Sequence, residues 1–329
     1  MDEDLVPPDD VEGLTDDEIK PWLMEYDVVS TLVSMGHEVY KLGLHDELTS
    51  LRAAVEEIKP DIAFNILEEF QGKTTYDYLV VSYLESMGQA YTGCNPRGLI
   101  IARDKSLTKK ILTYHRIRVP DFVVYPRQRS IKRPRRLDFP LIVKSLVEEA
   151  SLGIAQASVV ENDQKLVERV EFIHNSIGTD ALVEKYIEGR ELYVGMLGNG
   201  RLLVLPVWEL SFANLPAGVP QIATRRVKWD YAYQKKIGLK NRAAKNLPNG
   251  LEKKVAKISR RIYQTLGLSG YARLDYRLDA NGEIYLLEAN PNPQIAYGED
   301  FAESAHVAGI PYTELMQKIL NLGMTYRAS

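Results

Sequence analysis

Along the chain, short apolar runs alternate with longer stretches in which apolar residues recur at helical spacing. The runs DIAFNI (61–66), DFVVY (121–125), FPLIVK (139–144), ALVEKYI (181–187) and LLVLPVW (202–208) have the length and composition of strands, and the stretches near 15–35, 74–87, 104–115, 162–176 and 250–267 read as helices. The interleaving predicts an α/β or α+β fold.

The most informative pattern is ARLDYRLDANGEIYLLEANPNP (272–293). Asn281-Gly282 tolerates φ > 0 at both central positions of a turn and predicts a two-residue type I′ hairpin. With Ala280 facing Glu283, Asp275 faces Glu288 and Arg273 faces Asn290, all on one surface. The other surface pairs Leu274 with Ala289, Tyr276 with Leu287 and Leu278 with Tyr285, an apolar face suited to a core. Two opposed carboxylates repel by roughly 0.2–1 kcal/mol when exposed, and by more where water is excluded. A divalent cation would compensate them: two carboxylates and an amide oxygen form a hard, all-oxygen set that suits Mg²⁺ and leaves room for phosphate oxygens and water. Arg273 beside it is placed to hold a phosphate. An exposed charged hairpin face, with Arg273 as local counterion, is the other reading.

At 329 residues and 45% hydrophobic content, the chain can bury two or three modest cores. Its net charge of −4 argues against a nucleic-acid binder. The single cysteine, Cys94, excludes an intramolecular disulfide framework and fits a reducing cytoplasm, although a small buried hydrophobe is equally consistent. The opening MDEDLVPPDD is no secretory signal, and no apolar run approaches 18 residues, so a soluble cytoplasmic protein without a membrane partner is expected. The segment YPRQRSIKRPRR (125–136), with two prolines and six cationic residues between Arg127 and Arg136, reads as a solvated interdomain loop.

Two familiar nucleotide motifs are absent. GKTT (72–75) has Leu67 where a P-loop requires glycine, so it reads as a loop and helix start, and no G-x-G-x-x-G opens a helix after a strand. Lysines are the remaining phosphate candidates. Lys105 falls in the first turn after an Asp104 N-cap, and Lys144 closes an apolar strand, where a charged group needs a partner. EEASLG (148–153) could close over phosphates or be a plain β-turn. LVEKYIEGREL (182–192) reads as a strand, a Gly189 turn and a second strand; Glu184 and Glu191 there either accept from an amine or ribose hydroxyls or are exposed strand charges.

The order of these features resembles the ATP-grasp superfamily, specifically the D-alanine:D-alanine ligases. YTGCNPRGLIIARDKSLTK, FPLIVK, LVEKYIEGRELYVGML, GYARLDYRLDANGEIYLLEANPNP and AHVAGIPYTELM follow that family's sequence and spacing over about residues 61 to 320. The resemblance implies three domains: an N-terminal α/β domain with a parallel sheet (1–100), a small central domain (101–184) and a C-terminal domain carrying the hairpin (185–329). It implies ATP gripped between the last two. Lys105 and Lys144 would lie on phosphates, Glu184, Lys185, Tyr186 and Ile187 at the adenine, and Glu191 at the ribose. Asp275, Glu288 and Asn290 would hold two Mg²⁺, with Mn²⁺ as an alternative. RRVKWDYAYQKKIGLK (225–240) resembles the family's lid, from which Lys235 or Lys236 would reach the γ-phosphate. The implied reaction is carboxylate–amine ligation through an acyl phosphate, with Arg273 on the oxyanion and Lys144 and Lys235 offsetting charge. The substrates would be small, an amino acid or peptide, and a homodimer is the oligomer left open.

The departures fall on the substrate side. Ala150 replaces a serine of the phosphate loop, and after Asn290 the run Pro291 to Ala296, then Tyr297, Gly298 and Glu299, lacks the serine that helps hold the second substrate's carboxylate. The glycine-rich motif whose glutamate meets the first D-alanine's amine is not recognisable. The N-terminal sheet is expected to lack its usual first strand, with Val6 and its neighbours at best a poor substitute. A ligase of other substrates is the primary reading; a genuine D-alanine:D-alanine ligase and a non-catalytic nucleotide-binding module are the alternatives.

Overall fold

The computed structural model describes residues 1–148, 153–216 and 218–328. Two antiparallel sheets dominate it. The first holds β1 (Phe122–Tyr125), β2 (Leu141–Ser145), β3 (Val159–Val160) and β4 (Ala181–Lys185) in the order β1-β4-β2-β3. The second holds β5 (Arg190–Leu197), β6 (Leu203–Val204), β7 (Trp208–Phe212), β8 (Leu239–Ala243), β9 (Tyr271–Leu278) and β10 (Ile284–Pro291), in the order β10-β9-β5-β7-β8 with β6 also on β5. Both β1 and β2 lie in the first sheet, so 125–136 is a connection within one sheet and not an interdomain loop. Its arginines are tied back locally, Arg133 to Asp163 and Arg136 to the Phe122 carbonyl.

The apolar face of β9 and β10 builds the main core. Leu274, Tyr276, Leu278, Ile284 and Leu286 pack with Leu251, Val255 and Ile262 of helix Leu251–Thr265 and with Leu99 and Ala102 of helix Pro96–Arg103. Each large aliphatic side chain removed from water there contributes about 1.5–3 kcal/mol. This burial fixes which face of the hairpin is left for Arg273, Asp275, Glu288 and Asn290.

The turn differs from the expected type. Asp279 accepts from the amide of Gly282 through its carbonyl and from the amides of Asn281 and Glu283 through Oδ1, and Gly282 alone takes a positive φ, 77°. The loop is therefore the three-residue form, Ala280 to Gly282, and Leu278 faces Ile284 while Tyr276 faces Leu286. A bulge between Leu286 and Glu288 then shifts the ladder by one, so that Asp275 opposes Glu288 and Arg273 opposes Asn290, as expected.

Among the described residues, the N-terminal region has no strand ladder. Its parallel pairing is reduced to two isolated bridges, Asp2 with Leu44 and Ala63 with Tyr91. The run 61–66 pairs through backbone only at Ala63, with Ala90 and Thr92, before side chains interrupt the ladder: Thr92 Oγ1 accepts from the Asn65 amide, and Asn65 Oδ1 from the following Leu67 amide. Residues 1–8 hold only the 3₁₀ turn Glu3–Leu5 and the bridge, so the missing first strand is borne out. Proline explains two further departures. Pro21 sits in the 3₁₀ turn Lys20–Trp22 that separates helix Asp16–Ile19 from Leu23–Ser34, and Pro206 splits 202–208 into β6 and the start of β7.

Candidate active site

Glu184 is fully buried on β4, diagonal to Lys144 on β2. Lys144 Nζ meets one carboxylate oxygen, and Lys109 Nζ meets the other at 2.9 Å. Burial alone would raise the Glu184 carboxyl, but Lys109 and Lys144 outweigh it and hold the group below its usual range. Burial likewise pulls on the Lys144 ammonium, and the attraction of Glu184 and Glu288 leaves it raised. Lys109 was not singled out from the sequence. Its signal was its place four residues after Lys105, which puts both on one side of helix Lys105–Tyr114. Asp104 caps that helix as expected, accepting from the amides of Ser106 and Leu107.

Lys105 reaches the hairpin. Its Nζ lies 2.8 Å from Glu288 Oε1 and donates to the Glu148 carbonyl at 2.7 Å. Lys109 donates to the Leu287 carbonyl at 3.0 Å, at the bulge. One helix therefore links the first sheet to the hairpin through two lysines.

On the hairpin, Arg273 grips Asp275 with Nε at 2.8 Å and Nη2 at 3.0 Å, and Nη1 contacts Asp300 Oδ2 at 3.1 Å. Its guanidinium lies over the Tyr193 ring, 4.7 Å from the centroid. Burial opposes its charge, but Asp275 and Asp300 overcome that and raise its pKa. Asp300 was not foreseen, because it belongs to a later helix, Asp300–Val307. In the neighbouring register of β5 and β9, Glu191 pairs with Arg277, whose Nη2 contacts Glu191 Oε2 at 2.7 Å; the Tyr193 hydroxyl donates to the other oxygen at 2.8 Å.

Between the sheets runs a cleft lined by Lys144, Glu184, Lys185, Tyr186, Ile187, Glu191, Asp275 and Glu288 among the expected residues, with Ile142, Ile222 and Leu287 as apolar walls. Arg273 and Lys105 adjoin it through Asp275 and Glu288. Gly189 lets the chain cross from the first sheet to the second: its φ is 144°, and a Cβ would lie 2.0 Å from the Leu278 carbonyl oxygen. Lys185 and Tyr186 spend their amides on the Asp121 and Pro140 carbonyls, whereas the Ile187 amide has no partner among the described residues. The cleft encloses about 80 Å³ as the ion pairs stand, less than the roughly 300–1,000 Å³ of small-molecule sites.

Lys235 and Lys236 are exposed in the last turn of helix Tyr231–Ile237 and do not line the cleft. Residues 149–152, with Ala150, lie outside the described residues. Glu299 is exposed beside Asp300. Cys94 is buried, and burial pushes its thiol up to about 12, so it acts as a small hydrophobe.

The hairpin residues fit Mg²⁺ by donor chemistry. Asp275 and Glu288 are hard oxygen donors, and Asn290 Nδ2 is buried without a hydrogen-bond partner, so turning the amide to present Oδ1 breaks no hydrogen bond made by Nδ2. No group of three or more His, Cys, Asp or Glu side chains suited to a metal occurs among the described residues.

The family described as D-ala D-ala ligase C-terminus matches residues 110–321. An uncharacterized protein of Sinorhizobium fredii is 30% identical over 90% of this chain and 85% of its own length. A D-alanine–D-alanine ligase of Rhizorhabdus wittichii is 30% identical over 92% of this chain and 91% of its own. The crystal structure of D-alanine–D-alanine ligase from Bacillus anthracis complexed with ATP superposes with a TM-score of 0.72 at 24% identity, covering 95% of this chain and 94% of that one.

Proposed function

Because the chain belongs to the D-alanine–D-alanine ligase family of ATP-grasp enzymes, ATP-dependent carbon–nitrogen ligases, we propose that it joins the carboxyl group of one amino acid or short peptide to the amine of another through an acyl phosphate. The observation that carries this reading is the meeting of Arg273, Asp275 and Glu288 on the hairpin with Lys105, Lys109 and Lys144 across one cleft.

In this reading ATP takes up the cations. Lys105 exchanges Glu288 for phosphate oxygens, and Lys144 turns from Glu184 toward them. Residues 184–187 receive the adenine between the apolar walls, with the Ile187 amide as donor, and Glu191 accepts from the ribose. Asp275, Glu288 and Asn290 would hold Mg²⁺, which when bound would supply charge neutralisation for the phosphates. The substrate carboxylate attacks the γ-phosphorus and ADP leaves. The amine then attacks the acyl carbon, loses a proton, and phosphate leaves. Arg273 stabilises the oxyanion: its fork has five N–H donors, and its four bonds to Asp275 and Asp300 leave at least one for the oxyanion. Lys235 would need the segment 225–240 to swing inward as a lid, which also excludes water from the acyl phosphate. The domain division at 100 and 184 belongs to this reading too.

The test is ADP release with Mg²⁺ over a panel of L- and D-amino acids and dipeptides. Release stimulated by a carboxylate and amine pair supports the ligase; ATP binding with no stimulating pair would establish a nucleotide-binding module. A genuine D-alanine–D-alanine ligase is the second reading, favoured by the names of the relatives, and efficient D-alanine dimerisation would select it.

A further inference from the structure

The reverse side of the catalytic hairpin borders a second cavity, of about 330 Å³, large enough for a small organic molecule. Its floor is apolar and comes from three places: Ile117 after helix Lys105–Tyr114, Ile258 on helix Leu251–Thr265, and Ile284 and Leu286 on β10. Its rim is cationic. Arg118 and Lys254 share the one carboxylate there, Glu283, at 2.6 and 3.1 Å. Arg261 donates to the His115 carbonyl. Arg116, held in the left-handed region at φ 56°, has no ion pair or hydrogen bond from its side chain among the described residues. Four cations thus face one carboxylate, an excess of three positive charges (4 − 1), in a chain whose net charge is −4.

A bare anion would gain nothing from the floor, and an uncharged apolar molecule nothing from the rim. Guanidinium groups pair well with planar or tetrahedral oxyanions, and enclosed aliphatic side chains favour an apolar body. We propose that this cavity is a binding site for a small amphiphilic acid, an apolar body bearing one carboxylate, sulfonate or phosphate head. The site is separate from the cleft but mechanically joined to it, since the Leu286 amide donates to the Arg118 carbonyl at 3.0 Å, two residues before Glu288.

The probe is 1-anilinonaphthalene-8-sulfonate, titrated by fluorescence against the folded protein in saturating ATP and Mg²⁺. The expected result is one saturable site, displaced by decanoate and not by inorganic phosphate at the same concentration. The double variant Arg116→Glu/Arg261→Glu should bind the probe at least tenfold more weakly, and Ile258→Trp, which fills the floor, should abolish the fluorescence gain, both with melting temperatures near that of the unmodified protein. Unchanged affinity in both variants overturns the proposal, as does displacement by phosphate as effective as by decanoate. The displacement experiments need no variant, so they decide even where a substitution impairs folding.

Discussion

Glu288 lies 2.8 Å from the ammonium of Lys105 and stands across the β9–β10 ladder from Asp275, which Arg273 grips through two nitrogens. Each of the two like charges thus has a cation of its own. Glu288→Gln keeps the shape and removes one charge, so it should abolish turnover while nucleotide affinity stays within a few-fold, because the proposed reading assigns base and ribose to other residues. The measurements are ADP release and nucleotide binding; near-normal turnover would sink the metal assignment.

Arg273→Lys keeps the charge and loses the fork. One ammonium cannot reproduce the two bonds to Asp275, the bond to Asp300 and the contact with Tyr193 at once. We expect kcat to fall about a hundredfold or more, about 3 kcal/mol of transition-state stabilisation. A lysine enzyme within a few-fold of the original would remove Arg273 from the chemistry.

Gly189→Ala tests the crossing between sheets. The new Cβ would collide with the Leu278 carbonyl, on backbone that L residues rarely adopt. The cost should be about 2–4 kcal/mol of stability, with weaker nucleotide binding because residues 184–187 and Glu191 flank the glycine. Equal melting temperatures for the two proteins would contradict the close approach.

The hairpin shows how sequence reading succeeds and fails. Asp275 was matched to Glu288 because alternation and burial dictate the face, yet the turn was one residue longer than its Asn-Gly suggested and the bulge at Leu287 restored the count. Local pattern carries no sign of such a bulge; it follows from where Lys109 and Arg118 meet the backbone of β10. Asp300 was illegible for a similar reason, since its contact with Arg273 spans 27 residues. The strand at 61–66 failed because Asn65 and Thr92 compete for bonds that a hydrophobicity pattern cannot see.

Glu25 predicts a pH dependence. It is 1% exposed, its Oε1 has no hydrogen-bond partner, and burial, reinforced by Glu68, raises its pKa from 4.5 to about 7. The unfolded chain releases this proton as pH rises through 4.5, while the folded chain keeps it until about 7. Stability therefore falls across that window, by up to about 3 kcal/mol. Glu25→Gln should raise the melting temperature at pH 8 and leave it nearly unchanged at pH 4.5. An equal gain at both pH values would show that the carboxyl is not buried uncompensated.

The acceptor should not be free D-alanine. The sequence resemblance implies that Glu299 stands where a serine would help hold the acceptor carboxylate, and the next residue, Asp300, is buried against Arg273. Glu299 is exposed, yet the protein around it, and then Asp300, raise its carboxyl, with Arg273 and Lys20 pulling the other way. Such an environment disfavours another anion, and because Glu299 reaches solvent the penalty belongs at the low end, about 0.6 kcal/mol or threefold in affinity. An amine or neutral amide escapes it. D-alaninamide should therefore outperform D-alanine as acceptor in ADP-release assays, and Glu299→Ser should narrow the difference by improving D-alanine. Equal use of both acceptors by the unmodified protein would refute the assignment, because a carboxylate docking near Glu299 and Asp300 has to feel their charge.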